Sequence, residues 1–372
     1  MSVLANDSES HGARYLVSLL NRDDTLSSGL SDPALFTTSQ AVSIARLALA
    51  VDAQFDVDLA RRLTTSATID EYEAVCALRI LQDISHIHRL RPFLTPLLTH
   101  PNLKIRSKVA LIVGKLNGSA ELAEEQFLDK DPRVRANAVE ALWGTGDMES
   151  ADFFQQAVTD DNNRVAGNAL LGLYKLHDVS SLRLLEELAG RTEVEWQTTA
   201  AWAMAETGNR RFLTLLTRLM GATDSKLRHH AIRGLSRIRQ LRDASQRVGT
   251  LTLRLFVNPS RSTDGKISLI TVVTSGGENS PAASLPPTNF LLYGKDGFIP
   301  EYSVVEHLGS PAVESDDSTD LSGVSHWYEI TFVPANPDGK GVTLQICSEM
   351  GWGEAMIDVS PRGFNCNPEI HQ

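Results

Sequence analysis

Residues 131–142 read DPRVRANAVEAL, and the first two-thirds of the chain repeat variations of this stretch. Asp131 ahead of Pro132 is a helix start: the carboxylate accepts a backbone N–H, and proline fits the first helical position. Val134, Ala138 and Leu142 follow at four-residue steps and share one helical stripe. The same pattern returns as LKIRSKVALIVGKL from Leu103, NRVAGNALLGLYKL from Asn163, VEWQTTAAWAMAETG from Val194 and SKLRHHAIRGLSRI from Ser225. The first buried position is then Ile105, Val134, Val165, Trp196 and Leu227, at spacings of 29, 31, 31 and 31 residues. Val109, Ala138, Ala169, Ala200 and Ala231 come four residues later, where a small side chain lets neighbouring helices approach closely.

Each of these helices is followed by a break and a second apolar run: AELAEEQFL at 120–128, ADFFQQAV at 151–158, SLRLLEEL at 181–188 and FLTLLTRLM at 212–220. Gly118, Gly146, Asp178 and Gly208 fall in the breaks and suit helix ends and turns. Helix, turn, helix, turn at a period near 31 residues is an α-solenoid unit. The rhythm continues upstream in SQAVSIARLALAV (39–51) with DVDLARRL (56–63), and in DEYEAVCALRIL (70–81) with HRLRPFLTPLL (88–98). Residues 1–36 are polar and read as a capping segment with a short helix at Arg14–Leu20.

The D-P-x-V-R-x-x-A-x-x-A-L form at Asp131–Leu142 resembles HEAT repeats, in the short bacterial variety also found in phycobilisome lyases. The resemblance implies a right-handed α-solenoid over 37–243 and a choice of roles, from scaffold or adaptor to chromophore lyase. Asp131, Asp161 and Asp224 precede first helices, and Arg135, Arg164 and Arg228 follow within a turn. An N-cap with an Asp–Arg ladder between repeats is the ordinary reading; an anion-binding ridge is the alternative.

After RGLSRIRQLRDASQR (233–247), a basic helical end, the period changes from 3.6 to 2. TLTLRLFV (250–257), KISLITVVT (266–274), NFLLYG (289–294), EYSVV (301–305), HWYEITFV (326–333), VTLQICS (342–348) and AMIDVS (355–360) read as seven short strands between turn-rich loops. They predict an antiparallel β-sandwich over 248–362, immunoglobulin-like in size, with 363–372 as a tail.

Charge is unevenly spread. The chain carries 35 Lys and Arg against 46 Asp and Glu, a net of −11, and residues 248–372 alone carry −9. Neither half has the basic excess that drives nucleic-acid binding. No apolar run reaches the ~18–20 residues of a membrane helix. The N-terminus does not read as a secretory signal, so the cytoplasm is expected. Three cysteines, Cys76, Cys347 and Cys366, are too few for a disulfide framework, and Cys76 reads as a small core residue.

The motif search yields no chemistry. The acidic run Glu314–Asp320 lacks the glycine and closing glutamate of a calcium loop. His86 with His88, and His229 with His230, do not share a helical face. No H-E-x-x-H, C-x-x-C, Walker or G-x-S-x-G motif occurs. Trp143, Trp196 and Trp202 lie on or beside the repeat stripe and read as core; Trp352, between two glycines, reads as a turn aromatic that meets a ligand or plugs the fold. No cofactor or metal is expected. A protein or peptide partner is, through second-helix residues Gln155, Gln156, Arg183, Glu187, Arg211 and Arg218, with Trp352 in the β part. An enzyme of the bilin-lyase kind is the alternative that the resemblance leaves open.

Overall fold

The computed structural model describes residues 36–51, 53–65, 71–84, 87–117, 120–143, 145, 148–257, 265–275, 284–294, 297–311, 324–333, 340–348 and 351–358. The helix at 14–20, the run 314–320, His86 and Cys366 lie outside them. The chain divides into two compact units, residues 1–172 and 173–372.

The first unit is helical. In order it holds α1 (Thr38–Val51), α2 (Phe55–Thr65), α3 (Glu71–Ile84), the four-residue α4 (Arg91–Leu94), α5 (Leu103–Asn117), α6 (Ala120–Phe127), α7 (Pro132–Ala141) and α8 (Met148–Ala157), and α9 (Asn163–Lys175) begins in it. The expected apolar stripe is buried: Ile105, Val109 and Val113 on α5, and Val134 and Ala138 of α7 with Leu142 just after it, are each 5% exposed or less. Burial of one such valine or leucine stabilises by roughly 1.5–3 kcal/mol. Helix starts are capped as their sequences dictate. Asn102 Oδ1 accepts from Lys104 N at 2.9 Å, Asp131 Oδ1 from Arg133 N at 2.8 Å and Asn162 Oδ1 from Arg164 N at 3.1 Å.

The run at 88–98 departs from the single helix expected. A 3₁₀ turn (Ile87–Leu90), α4 and a second 3₁₀ turn (Thr95–Thr99) take its place. Pro92 and Pro96 have no N–H to donate and clash with the preceding turn, so a continuous helix cannot pass through them. Leu90, Leu94, Leu97 and Leu98 still reach the core.

The second unit opens with α10 (Ser180–Ala189), α11 (Val194–Thr207), α12 (Leu213–Leu219) and α13 (Ser225–Val248). Asp224 caps α13, accepting from Leu227 N at 2.8 Å. Among the described residues eight strands follow: β1 (Leu251–Val257), β2 (Ile267–Ser275), β3 (Phe290–Gly294), β4 (Gly297–Phe298), β5 (Tyr302–Leu308), β6 (His326–Phe332), β7 (Lys340–Ser348) and β8 (Gly351–Asp358). They form two four-stranded antiparallel sheets, ordered β1-β2-β6-β5 and β4-β3-β7-β8. Leu269 faces Ile330, which also faces Val304; Leu344 sits between Leu292 and Ala355. Alternate residues of both sheets enter one core, with Leu253, Leu269, Ile330 and Phe332 from the first and Phe290, Leu292, Leu344 and Ile357 from the second. The buried Tyr328 packs its ring 4.6 Å from Phe290 and accepts from Leu285 N at 2.6 Å.

Two details differ from the seven strands expected. The short β4 is additional, and β8 starts at Gly351, so Trp352 is a strand residue rather than a turn residue. A side chain at Gly351 or Gly353 would meet the carbonyl of Gly249 at 2.7 Å or of Leu251 at 2.8 Å. Glycine is needed here because β8 runs tight against the start of β1, where Thr250 and Trp352 form a parallel bridge.

Candidate partner-binding surface

The polar residues that recur with the repeat fall into two sets, those that knit repeats together and those that face solvent. Arg106 and Arg135 belong to the first. Each sits four residues into its helix start and folds back over the preceding loop. Arg106 Nη1 donates to the His100 carbonyl at 2.8 Å, and Arg135 Nη1 to the Asp129 carbonyl at 3.2 Å. Each then reaches the loop of the next repeat: Arg106 Nε donates to Asp129 Oδ2 at 2.8 Å, and Arg135 takes Asp160 through both Nε (2.8 Å) and Nη2 (2.9 Å). The bidentate geometry suits the planar guanidinium fork.

Burial raises the Asp160 carboxyl, but the Arg135 guanidinium and the Asn162 N–H pull harder and leave it below its usual value. Asp129 is held down in the same way, by Arg106 and the Asp131 N–H, against its own desolvation. Arg228 also folds back, onto the Ala222 and Thr223 carbonyls at 2.9 and 2.6 Å. The ladder is therefore present, with the partners shifted from the sequence reading. Asp129 and Asp160 are its main anchors. Asp161, 93% exposed, makes a second contact to Arg135, and Arg164 turns to Asn137 instead. An asparagine step runs alongside: Asn137 Nδ2 donates to the Ser107 carbonyl at 2.7 Å and Asn168 Nδ2 to the Ala136 carbonyl at 2.8 Å. These guanidinium groups are occupied, which leaves little for a bound anion.

The residues expected to meet a partner separate. In the first unit Gln155 and Gln156 stand exposed on α8. In the second, Glu187 and Arg218 are exposed, and Arg183 pairs with Glu187 one turn on along α10. Arg211 departs from the expectation of a surface group. It is 3% exposed and locks both oxygens of Glu186, at 2.9 and 2.8 Å. The cause is local: Asn209 caps a 3₁₀ turn, Arg210–Phe212, by accepting from Arg211 N at 3.0 Å, and the turn directs Arg211 inward. Trp352 is half-buried, with the Arg210 guanidinium 4.4 Å from its ring centre, a cation–π pair absent from the sequence reading. Trp143, Trp196 and Trp202 are likewise half-buried; Trp143 donates to the Asn168 carbonyl at 3.0 Å and Trp196 stacks under Arg191.

Arg183 also borders a cleft of about 570 Å³ within the second unit. The turn before α10 gives His177 and Asp178, and the sheet gives Tyr302 and Thr331, with Glu301 just ahead of β5 and Lys266 just ahead of β2. Tyr302 Oη donates to the Phe290 carbonyl at 2.6 Å, and burial raises its phenol. The cleft mixes cationic, anionic and apolar walls. Among the described residues no three of His, Cys, Asp and Glu cluster as metal ligands, and no helix is long and apolar enough to cross a membrane. Cys76 and Cys347 are free thiols, both half-buried.

Residues 121–204 match the family model for HEAT repeats. The match runs from α6 through most of α11, over the Arg135–Asp160 rung of the ladder. No curated protein matches the chain. Among solved structures, an engineered protein from the Northeast Structural Genomics Consortium is similar at 17% identity, over 62% of this chain and 97% of that one, with a TM-score of 0.30. At that score it bears on nothing further.

Proposed function

We propose that the chain is a non-catalytic protein–protein interaction scaffold. The observation that carries this reading is the HEAT match over 121–204, in helices whose second members leave Gln155, Gln156 and Glu187 in solvent, with Arg218 exposed on α12 just beyond the match. HEAT repeats commonly mediate protein–protein contact, and a long shallow face of polar side chains suits an extended partner. In the same reading the helices of 37–243 form one right-handed solenoid of the short bacterial, phycobilisome-lyase-like type. The sheets of 248–362 form an immunoglobulin-like sandwich that positions the complex, and the protein works in the cytoplasm.

The test is affinity capture from lysate with the full chain and with an Arg183→Glu, Arg218→Glu variant, read by mass spectrometry. Capture of one protein by the parent, reduced about tenfold in the variant, is the expected outcome, since a desolvated charge contact is worth ~1.4 kcal/mol or more. Equal capture by both would remove the second-helix face from the reading.

A further inference from the structure

Helix α13 carries one lysine and six arginines in 24 residues, against a single aspartate, Asp243. Its net charge of +6 sits in a chain of net −11, so everything outside this helix carries −17. Among the described residues two carboxylates answer the cations. Glu206 takes Arg233 at 2.7 Å and Arg237 at 3.6 Å; Asp243 takes Arg242 at 3.0 Å and Arg239 at 3.8 Å. Arg228 is spent on loop carbonyls. Lys226 and Arg247 have no ion pair among the described residues, and both are exposed. Leu227, Ala231, Gly234 and Ile238 hold the helix from its buried side, so Lys226 and Arg247 are not needed to anchor it.

We propose that the exposed face of α13 docks an acidic protein segment. Charge complementarity selects the occupant: a cationic strip on an otherwise acidic molecule orients and holds an anionic partner. The helix is about 36 Å long at ~1.5 Å per residue, enough for a segment of roughly ten extended residues. Ile232, half exposed among the cations, adds an apolar contact that an acidic peptide with a few aliphatic residues would use. A duplex is disfavoured, since its phosphates, one per ~1.7 Å of axis, would run beyond the strip into the field of an acidic β part. The proposal rests on the reading that the partner is a protein and names the chemistry of its contact.

The experiment is fluorescence anisotropy with the full chain and a fluorescein-labelled (Glu-Glu-Leu)₅ peptide, beside a labelled DNA duplex of about 20 base pairs. Saturable peptide binding is expected, weakening as salt rises from about 50 to 200 mM. Lys226→Gln, Arg239→Gln and Arg247→Gln together should weaken it about tenfold. Arg79→Gln, Arg91→Gln and Lys130→Gln, which remove as many exposed cations elsewhere, should leave it within about twofold. A carbodiimide cross-link from Lys226 to the peptide in the unmodified chain supports the site without any variant. Absence of saturable binding, equal loss in both variants, or tighter binding of the duplex would overturn the proposal. Undiminished partner capture by the Arg183→Glu, Arg218→Glu variant, with peptide binding intact, would instead count against the second-helix reading alone.

Discussion

At the scale of single residues, Arg135 shows how much one side chain of the repeat can hold. Its guanidinium satisfies two loop carbonyls, of Asp129 and Lys130, and the Asp160 carboxylate, with 16% and 7% of the two side chains exposed. Arg135→Ala would leave a nearly buried carboxylate without its countercharge, which costs about 3 kcal/mol. Urea unfolding of parent and variant checks this; a loss below about 0.5 kcal/mol would class the pair with ordinary surface bridges. The pH response follows from the same geometry. Asp160 and Asp129 sit below their usual values in the folded chain. Their stabilisation is therefore complete above the unfolded carboxylate value near 3.9 and drains as pH falls through it toward the depressed folded values. Asp160→Asn should flatten that acid-side decline in a pH series of melts. Asn137→Ala should cost about 1–3 kcal/mol, because the buried amide serves the Ser107 carbonyl and accepts from Arg164 at 3.2 Å.

Elements were legible where a period ran undisturbed and misread where one residue type overrode it. The four-residue apolar steps from Leu103 onward give α5 to α13, and alternation gives most of the strands. The prolines at 92 and 96 sat inside an apolar run that otherwise reads as helix, and they broke it into 3₁₀ turns. At Gly351-Trp352-Gly353 the glycines looked like a turn, whereas they permit β8 to lie against β1. The ladder's caps were readable as helix-start chemistry, but its carboxylate anchors were not, because Asp129 and Asp160 lie in loops and only the fold brings an arginine more than twenty residues away onto them. Arg211 belongs to the same class: its sequence position is that of a second-helix surface residue, and only the 3₁₀ turn directs it inward. For β8 the test is Gly353→Ala. Its methyl would stand 2.8 Å from the Leu251 carbonyl, a backbone atom that cannot step aside. The strand must shift, at a cost of about 1–3 kcal/mol, read as a lowered melting temperature.

For the whole molecule, the change of period near residue 248 marks a change of architecture, but compactness follows a different line. The second unit joins α10–α13 to both sheets. Asn209 Nδ2 donates to the Thr288 carbonyl at 3.0 Å in a buried setting, Trp352 N donates to the Gly249 carbonyl at 3.1 Å, and Arg210 lies over Trp352. Residues 248–372 alone would lose the Asn209 bond and the cation–π pair, and would open the surface that the helices cover. Those two contacts are together worth about 2–3 kcal/mol, or roughly 8–11 °C in a domain of this size. A fragment of residues 162–372, which keeps the Asn162 cap of α9 and all of α10–α13, is expected to melt in one cooperative transition. The isolated 248–372 fragment should melt about 8–11 °C lower. Calorimetry on the two fragments decides between the alternatives. Equal melting temperatures would mean that the sheets fold without help and that the helices merely rest on them. A single, higher transition for the longer fragment would mean that a partner pulling on α13 also loads the sheets, so the last repeats and the β part respond as one body.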